Sequence, residues 1–113
     1  MKREYKLFLK DIIENIDIIE LFTEDMTFED FKSDLKTIYS VTRALEIIGE
    51  ACGQVNEEIR EKYSNIQWAE IRGFRDKVIH KYWGVDLEIE WSVVKDKLSE
   101  LKIQINHILD NEK

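Results

Sequence analysis

Apolar residues return along this chain at intervals of three and four, the spacing of one face of a helix. Tyr5, Phe8, Leu9, Ile12, Ile16 and Ile19 form one such stripe and predict a first helix over about 3–22. Thr27 followed by Asp30 reads as the N-cap of a second helix over about 28–54. That helix carries two apolar lines. Phe28, Phe31, Leu35, Ile38, Thr42, Leu45, Gly49 and Cys52 form a seam, and Val41, Ala44, Ile48, Ala51 and Val55 run beside it. Two lines on one helix can face a core and a partner together, or can simply bury one wide face in the core. Small residues at 44, 49, 51 and 53 allow another helix to come close. Asn56 caps a short helix over about 57–63, and Ser64 to Gln67 fits a capping box for a fourth helix running to Gly84. Asp86 opens the last helix, with Trp91, Val94, Leu98, Leu101, Ile105 and Ile108 as its seam. There is no proline and no alternating run that reads as a strand. The pattern predicts an all-α antiparallel up-and-down bundle of four main helices and one short one, in a single domain over 1–113.

Composition narrows the class. A hydrophobic content of 43% with 36% charged residues fits a soluble globular protein. No apolar run is long enough to span a membrane, and the charged N-terminus does not read as a signal peptide. The lone cysteine, Cys52, suits a cytoplasmic protein and reads as a small buried residue. A net charge of −7 argues against non-specific coating of nucleic acid. Yet between Glu70 and Tyr82 the chain places Arg72, Arg75, Lys77 and Lys81 against only Glu70 and Asp76. An acidic body with one basic window can hold a phosphate locally.

That window lies within Trp68–Trp91, WAEIRGFRDKVIHKYWGVDLEIEW, around the pattern R-x4-H-x-Y formed by Arg75, His80 and Tyr82. On a regular helix Arg75 falls amid an apolar face of Trp68, Ile71, Val78, Ile79 and Tyr82. A cation there needs a partner or a site. The partner can be a structural acid such as Glu46 or Glu50, and the site can be one for phosphate; an acid can also aim the arginine at it. His80 falls roughly 140° from Arg75 on a regular helix. The two share a site only if the helix loosens or two copies of the chain face each other. His107 reads as a surface residue. No His, Cys or acid spacing suggests a metal site, and no phosphate loop or nucleophile elbow is present.

The stretch from Trp68 to Trp91, with the second-helix segment RALEIIGEAC at 43–52, resembles the HepT-like family of HEPN-domain ribonuclease toxins over essentially the whole chain. The resemblance implies a dimer of helical bundles that cleaves RNA without metal or cofactor, with Arg75 and His80 as the catalytic pair. It also implies a cognate minimal nucleotidyltransferase antitoxin that silences the toxin by adding AMP to Tyr82. Asp76 stands where asparagine is frequent in HEPN domains, and puts an acid beside the phosphate site. Arginine can bind two phosphate oxygens, and histidine can move a proton at neutral pH, so these residue types suit the reaction. A second expectation stays open: a non-catalytic helical substrate-binding subunit of a nucleotidyltransferase.

Overall fold

The structure, a computed structural model, describes residues 4–80 and 84–113, with His80 described through its backbone. The described residues form an all-α bundle of eight helices with one minimal strand pair. The helices are α1 (Tyr5–Thr23), α2 (Phe28–Lys32), α3 (Leu35–Gln54), α4 (Glu57–Lys62), α5 (Trp68–Arg72), α6 (Phe74–Val78), α7 (Leu87–Asp96) and α8 (Leu98–Asn111). The strands are β1 (Ile79–His80) and β2 (Gly84–Val85). Helix α3 is central: α1, α2, α5 and α6 pack on it, while α8 packs on α1 and α7. Among the described residues no helix is long and apolar enough to cross a membrane.

The caps explain where the helices start. Thr27 and Asp30 exchange bonds in a capping box, with Asp30 N–H to Thr27 Oγ1 at 3.1 Å and Thr27 N–H to Asp30 Oδ2 at 3.0 Å. Asn56 and Asp86 accept from the N–H groups of Ile59 and Ile89, as their sequence positions predict. The box expected of Ser64 and Gln67 does not form; Gln67 precedes α5 without a side-chain capping bond.

The long helix expected over 28–54 is divided. Ser33 turns its hydroxyl back to the Glu29 carbonyl, and Asp34 caps a new helix by accepting from the Thr37 N–H and hydroxyl. Those two bonds hold the Asp34 carboxyl below its ordinary pKa. Leu35 drops out of the seam and is exposed, but Ile38, Thr42, Leu45, Gly49 and Cys52 are buried. So is the whole second line, Val41 to Val55. Both lines are therefore consumed inside one chain, because α1 covers one side of α3 and α5 and α6 another. The second line supplies no surface for a partner. The last helix also breaks, at Lys97, while keeping its buried seam from Val94 to Ile108.

The largest departure is in the fourth helix. It bends at Gly73 and ends at Val78 instead of reaching Gly84. Ile79 is extended, and the chain reverses so that Ile79 pairs with Val85 and His80 with Gly84. Consecutive β-branched residues at 78 and 79 favour leaving the helix. Gly84, at φ +86°, takes the left-handed conformation that the returning strand needs. The Asp86 N–H donates to the Val78 carbonyl, so the end of α6 is tied to the start of α7.

Candidate active site

Two glycines on α3 set the approach of the arginine-bearing segment. A Cβ on Gly49 would lie 3.2 Å from the Arg72 carbonyl oxygen, and one on Gly53 would lie 3.2 Å from Arg72 Nε. The end of α5 therefore rests closely on α3, and a side chain at Gly49 would press on the α5 backbone. Trp68, Ile71, Phe74 and Val78 fill the core side of α5 and α6. The bend at Gly73 shifts the phase of the helix, so Arg75 is not in the middle of an apolar face. Its side chain is 55% exposed and enters a cleft of about 550 Å³ between α1, α3, α5 and α6. Phe8, Asp11, Glu46, Glu50 and Arg72 line the same cleft.

Glu46 is the acid that holds Arg75, with Nε to Oε2 at 3.5 Å. Asp76 is the second, with Nη1 to Oδ1 at 3.7 Å, and Glu46 is shared with Arg43 at 3.7 Å. Tight charge-assisted bonds are about 2.7–2.9 Å, so these contacts aim the guanidinium without occupying it. Glu50 lies in the cleft wall without an ion pair among the described residues.

His80 is five residues on, in β1, where the chain has left the helix. The roughly 140° separation of a continuous helix therefore does not apply, and the His80 side chain lies outside the described residues. Tyr82 lies outside the described residues, and its expected alignment with Arg75 loses its basis because α6 ends at Val78. Among the described residues no three of His, Cys, Asp and Glu are grouped as metal ligands. His107 is exposed, bonded to Asn111, as expected. Cys52 is buried, and burial pushes its thiol up to about 12.

Sequence reasoning passed over two residues. Glu90, in the first turn of α7, is fully buried and accepts from Thr42 Oγ1. Its place four residues before Val94 and eight before Leu98, on the buried stripe, was the available signal. Arg72 counted only as part of the basic window; the small residues at 49 and 53 pointed to where it lies.

The family described as Ribonuclease HepT-like matches residues 12–108. The chain belongs to that family. It is 46% identical over 102 residues to a Thermococcus cleftensis protein named "Probable ribonuclease HepT", covering 90% of this chain and 93% of the relative. It is 43% identical over 108 residues to a Methanocaldococcus jannaschii protein provisionally named an RNase, covering 96% and 89%. A Caldanaerobacter subterraneus protein of the same provisional name is 39% identical over 106 residues, covering 94% and 95%. No solved structure was found to match the chain. Membership in this family and relatives named as ribonucleases support an RNase function.

Proposed function

We propose that this single HEPN-like domain is the toxin of a toxin–antitoxin pair, a cytoplasmic, metal-independent endoribonuclease. Arg75 binds the scissile phosphate and stabilises the charge of the phosphorane. His80 takes part in proton transfer, removing the proton of the ribose 2′-OH or protonating the leaving 5′ oxygen. Attack of the 2′ oxygen on phosphorus breaks the bond to the 5′ oxygen and leaves a 2′,3′-cyclic phosphate and a 5′-hydroxyl. Glu46 aims Arg75, and Asp76 and Glu50 set the local charge. The observation that carries this reading is an arginine held at 3.5 and 3.7 Å by two carboxylates in an open cleft, with His80 beyond the helix end.

Two further parts rest on the family resemblance. One is a nucleotidyltransferase antitoxin that adds AMP to Tyr82. The other is a homodimer that brings two motifs together. Leu35 and Tyr39, 62% and 66% exposed, lie about two turns and one turn before Arg43 on α3. They put apolar surface beside the Arg43–Glu46–Arg75 group, where a second copy would contribute to the site.

The acids of the cleft, Asp11, Glu46 and Glu50, favour a second reading, a non-catalytic helical substrate-binding subunit of a nucleotidyltransferase. Incubating single-stranded RNA with purified protein in EDTA separates the two. Cleavage products ending in cyclic phosphate support the ribonuclease; intact RNA supports the subunit.

A further inference from the structure

Among the described residues, Arg72 is the guanidinium in this cleft without a carboxylate partner. Arg75 is shared between Glu46 and Asp76, and Arg43 is held by Glu46. Arg72 has neither an ion pair nor a side-chain hydrogen bond among the described residues. It is nevertheless placed. Its carbonyl meets Gly49, and its side chain crosses α3 over Gly53, where a Cβ would sit 3.2 Å from Nε and 3.8 Å from Nη2. An arginine laid across a glycine lies close against α3, here with no ion pair to an acid among the described residues.

Its position adds direction. Arg72 borders the cleft of Arg75 and also a second hollow of about 450 Å³, lined by Arg60, Ser64, Gln67 and Trp68 and, on its α4 side, by the acids Glu57 and Glu61. It stands on the ridge between them, about one helical turn before Arg75. A single strand with its scissile phosphate on Arg75 would cross this ridge next. Beyond it, the hydroxyl of Ser64 and the amide of Gln67 offer hydrogen bonds to sugar or base. The anion meeting Arg72 breaks no existing ion pair.

Resting on the ribonuclease reading, we propose that Arg72 is a substrate-binding residue that contacts an RNA backbone phosphate neighbouring the scissile one, on the side leading to Gln67. It fixes the strand's register and takes no part in proton transfer. Its contribution therefore falls on binding and salt dependence, and leaves the chemical step alone.

The test uses a fluorescein-labelled single-stranded RNA with 2′-O-methyl riboses, which binds without being cut, and the same RNA unmethylated for kinetics. Anisotropy titrations at several KCl concentrations compare wild type with Arg72→Ala, Arg72→Gln and Arg72→Lys. Arg72→Ala and Arg72→Gln should weaken binding roughly fivefold at low salt. The slope of log affinity against log salt should fall by about 0.7, one single-strand phosphate contact. KM should rise with kcat nearly unchanged, and Arg72→Lys should restore the slope. The side chain has no ion pair or side-chain hydrogen bond to lose among the described residues, so all variants should keep the wild-type circular dichroism. Unchanged slope and KM in both neutral variants, with wild type cleaving, would overturn the proposal and leave the ribonuclease reading standing. A fall in kcat at constant KM would overturn it as well. Wild-type protein that neither binds nor cuts the RNA would remove the ribonuclease reading, and the proposal with it.

Discussion

Replacing Glu90 by glutamine should stabilise the protein above neutral pH and have little pH-linked effect below about pH 4.5. Glu90 is 0% exposed, between α7 and α3. One hydroxyl, Thr42 Oγ1, reaches its oxygens at 2.8 and 3.0 Å, and no cation is paired with it among the described residues. Burial raises its pKa from 4.5 to about 7, against the smaller opposing effect of the Thr42 bond. An acid whose pKa is higher in the folded state binds its proton more tightly there. Below about pH 4.5 both states are protonated and there is no penalty. Between 4.5 and about 7 the unfolded chain ionises first, so stability falls as pH rises, and the loss saturates above about 7. The full difference corresponds to about 3 kcal/mol, a large fraction of a small domain's stability. Glutamine keeps the shape and an acceptor for Thr42 but does not titrate. Its second amide hydrogen adds a cost independent of pH, so the informative quantity is how the difference between the two proteins changes with pH. Urea unfolding of wild type and Glu90→Gln from about pH 5 to pH 9 should show the curves separating in favour of the variant by about 3 kcal/mol. Curves that stay parallel across that range would refute the reasoning and show that Glu90 is solvated or paired.

Other consequences can be measured separately. If Leu35 and Tyr39 form the dimer surface, Leu35→Asp with Tyr39→Asp should give a monomer by light scattering with unchanged helicity, while wild type is a dimer; a monomeric wild type would sink the dimer. Co-expression with the cognate nucleotidyltransferase should add AMP mass to wild type and none to Tyr82→Phe by intact-mass spectrometry; modification at another residue would overturn the role given to Tyr82. Asp34→Ala removes the cap that starts α3 and should cost about 1 kcal/mol in urea unfolding, and a neutral result would place the break at Ser33 alone.

The bundle was legible because its apolar spacing persists for many turns. Leu9, Ile12, Ile16 and Ile19 on α1, and Leu98, Leu101, Ile105 and Ile108 on α8, are all buried as the periodicity requires. The breaks were not legible, because Ser33–Asp34 and Lys97 interrupt helices whose apolar phase continues across them. A periodicity argument detects faces and misses a cap formed by two polar residues inside a seam. The same limit misplaced Arg75. The bend at Gly73 changes the phase by enough to move it from a buried face to a cleft edge. The strand pair of Ile79–His80 with Gly84–Val85 is two residues per side, too short for any alternation to register. Glu46 as the partner of Arg75 was foreseeable, because an arginine beside the core needs an acid and α3 offered only two nearby. Glu90 was hidden by its neighbour Glu88, since acids at a helix start have a sufficient explanation in the dipole.

The measurement that reaches the central claim most directly is single-turnover cleavage of one single-stranded RNA by wild type, Arg75→Ala and His80→Ala, with circular dichroism as the folding control. Arg75 is half exposed and loosely held, so its removal should leave the fold intact. Each variant should cleave about 10²- to 10⁴-fold more slowly than wild type while remaining helical. Folded variants that cleave at the wild-type rate would contradict the assignment of the active site to Arg75 and His80.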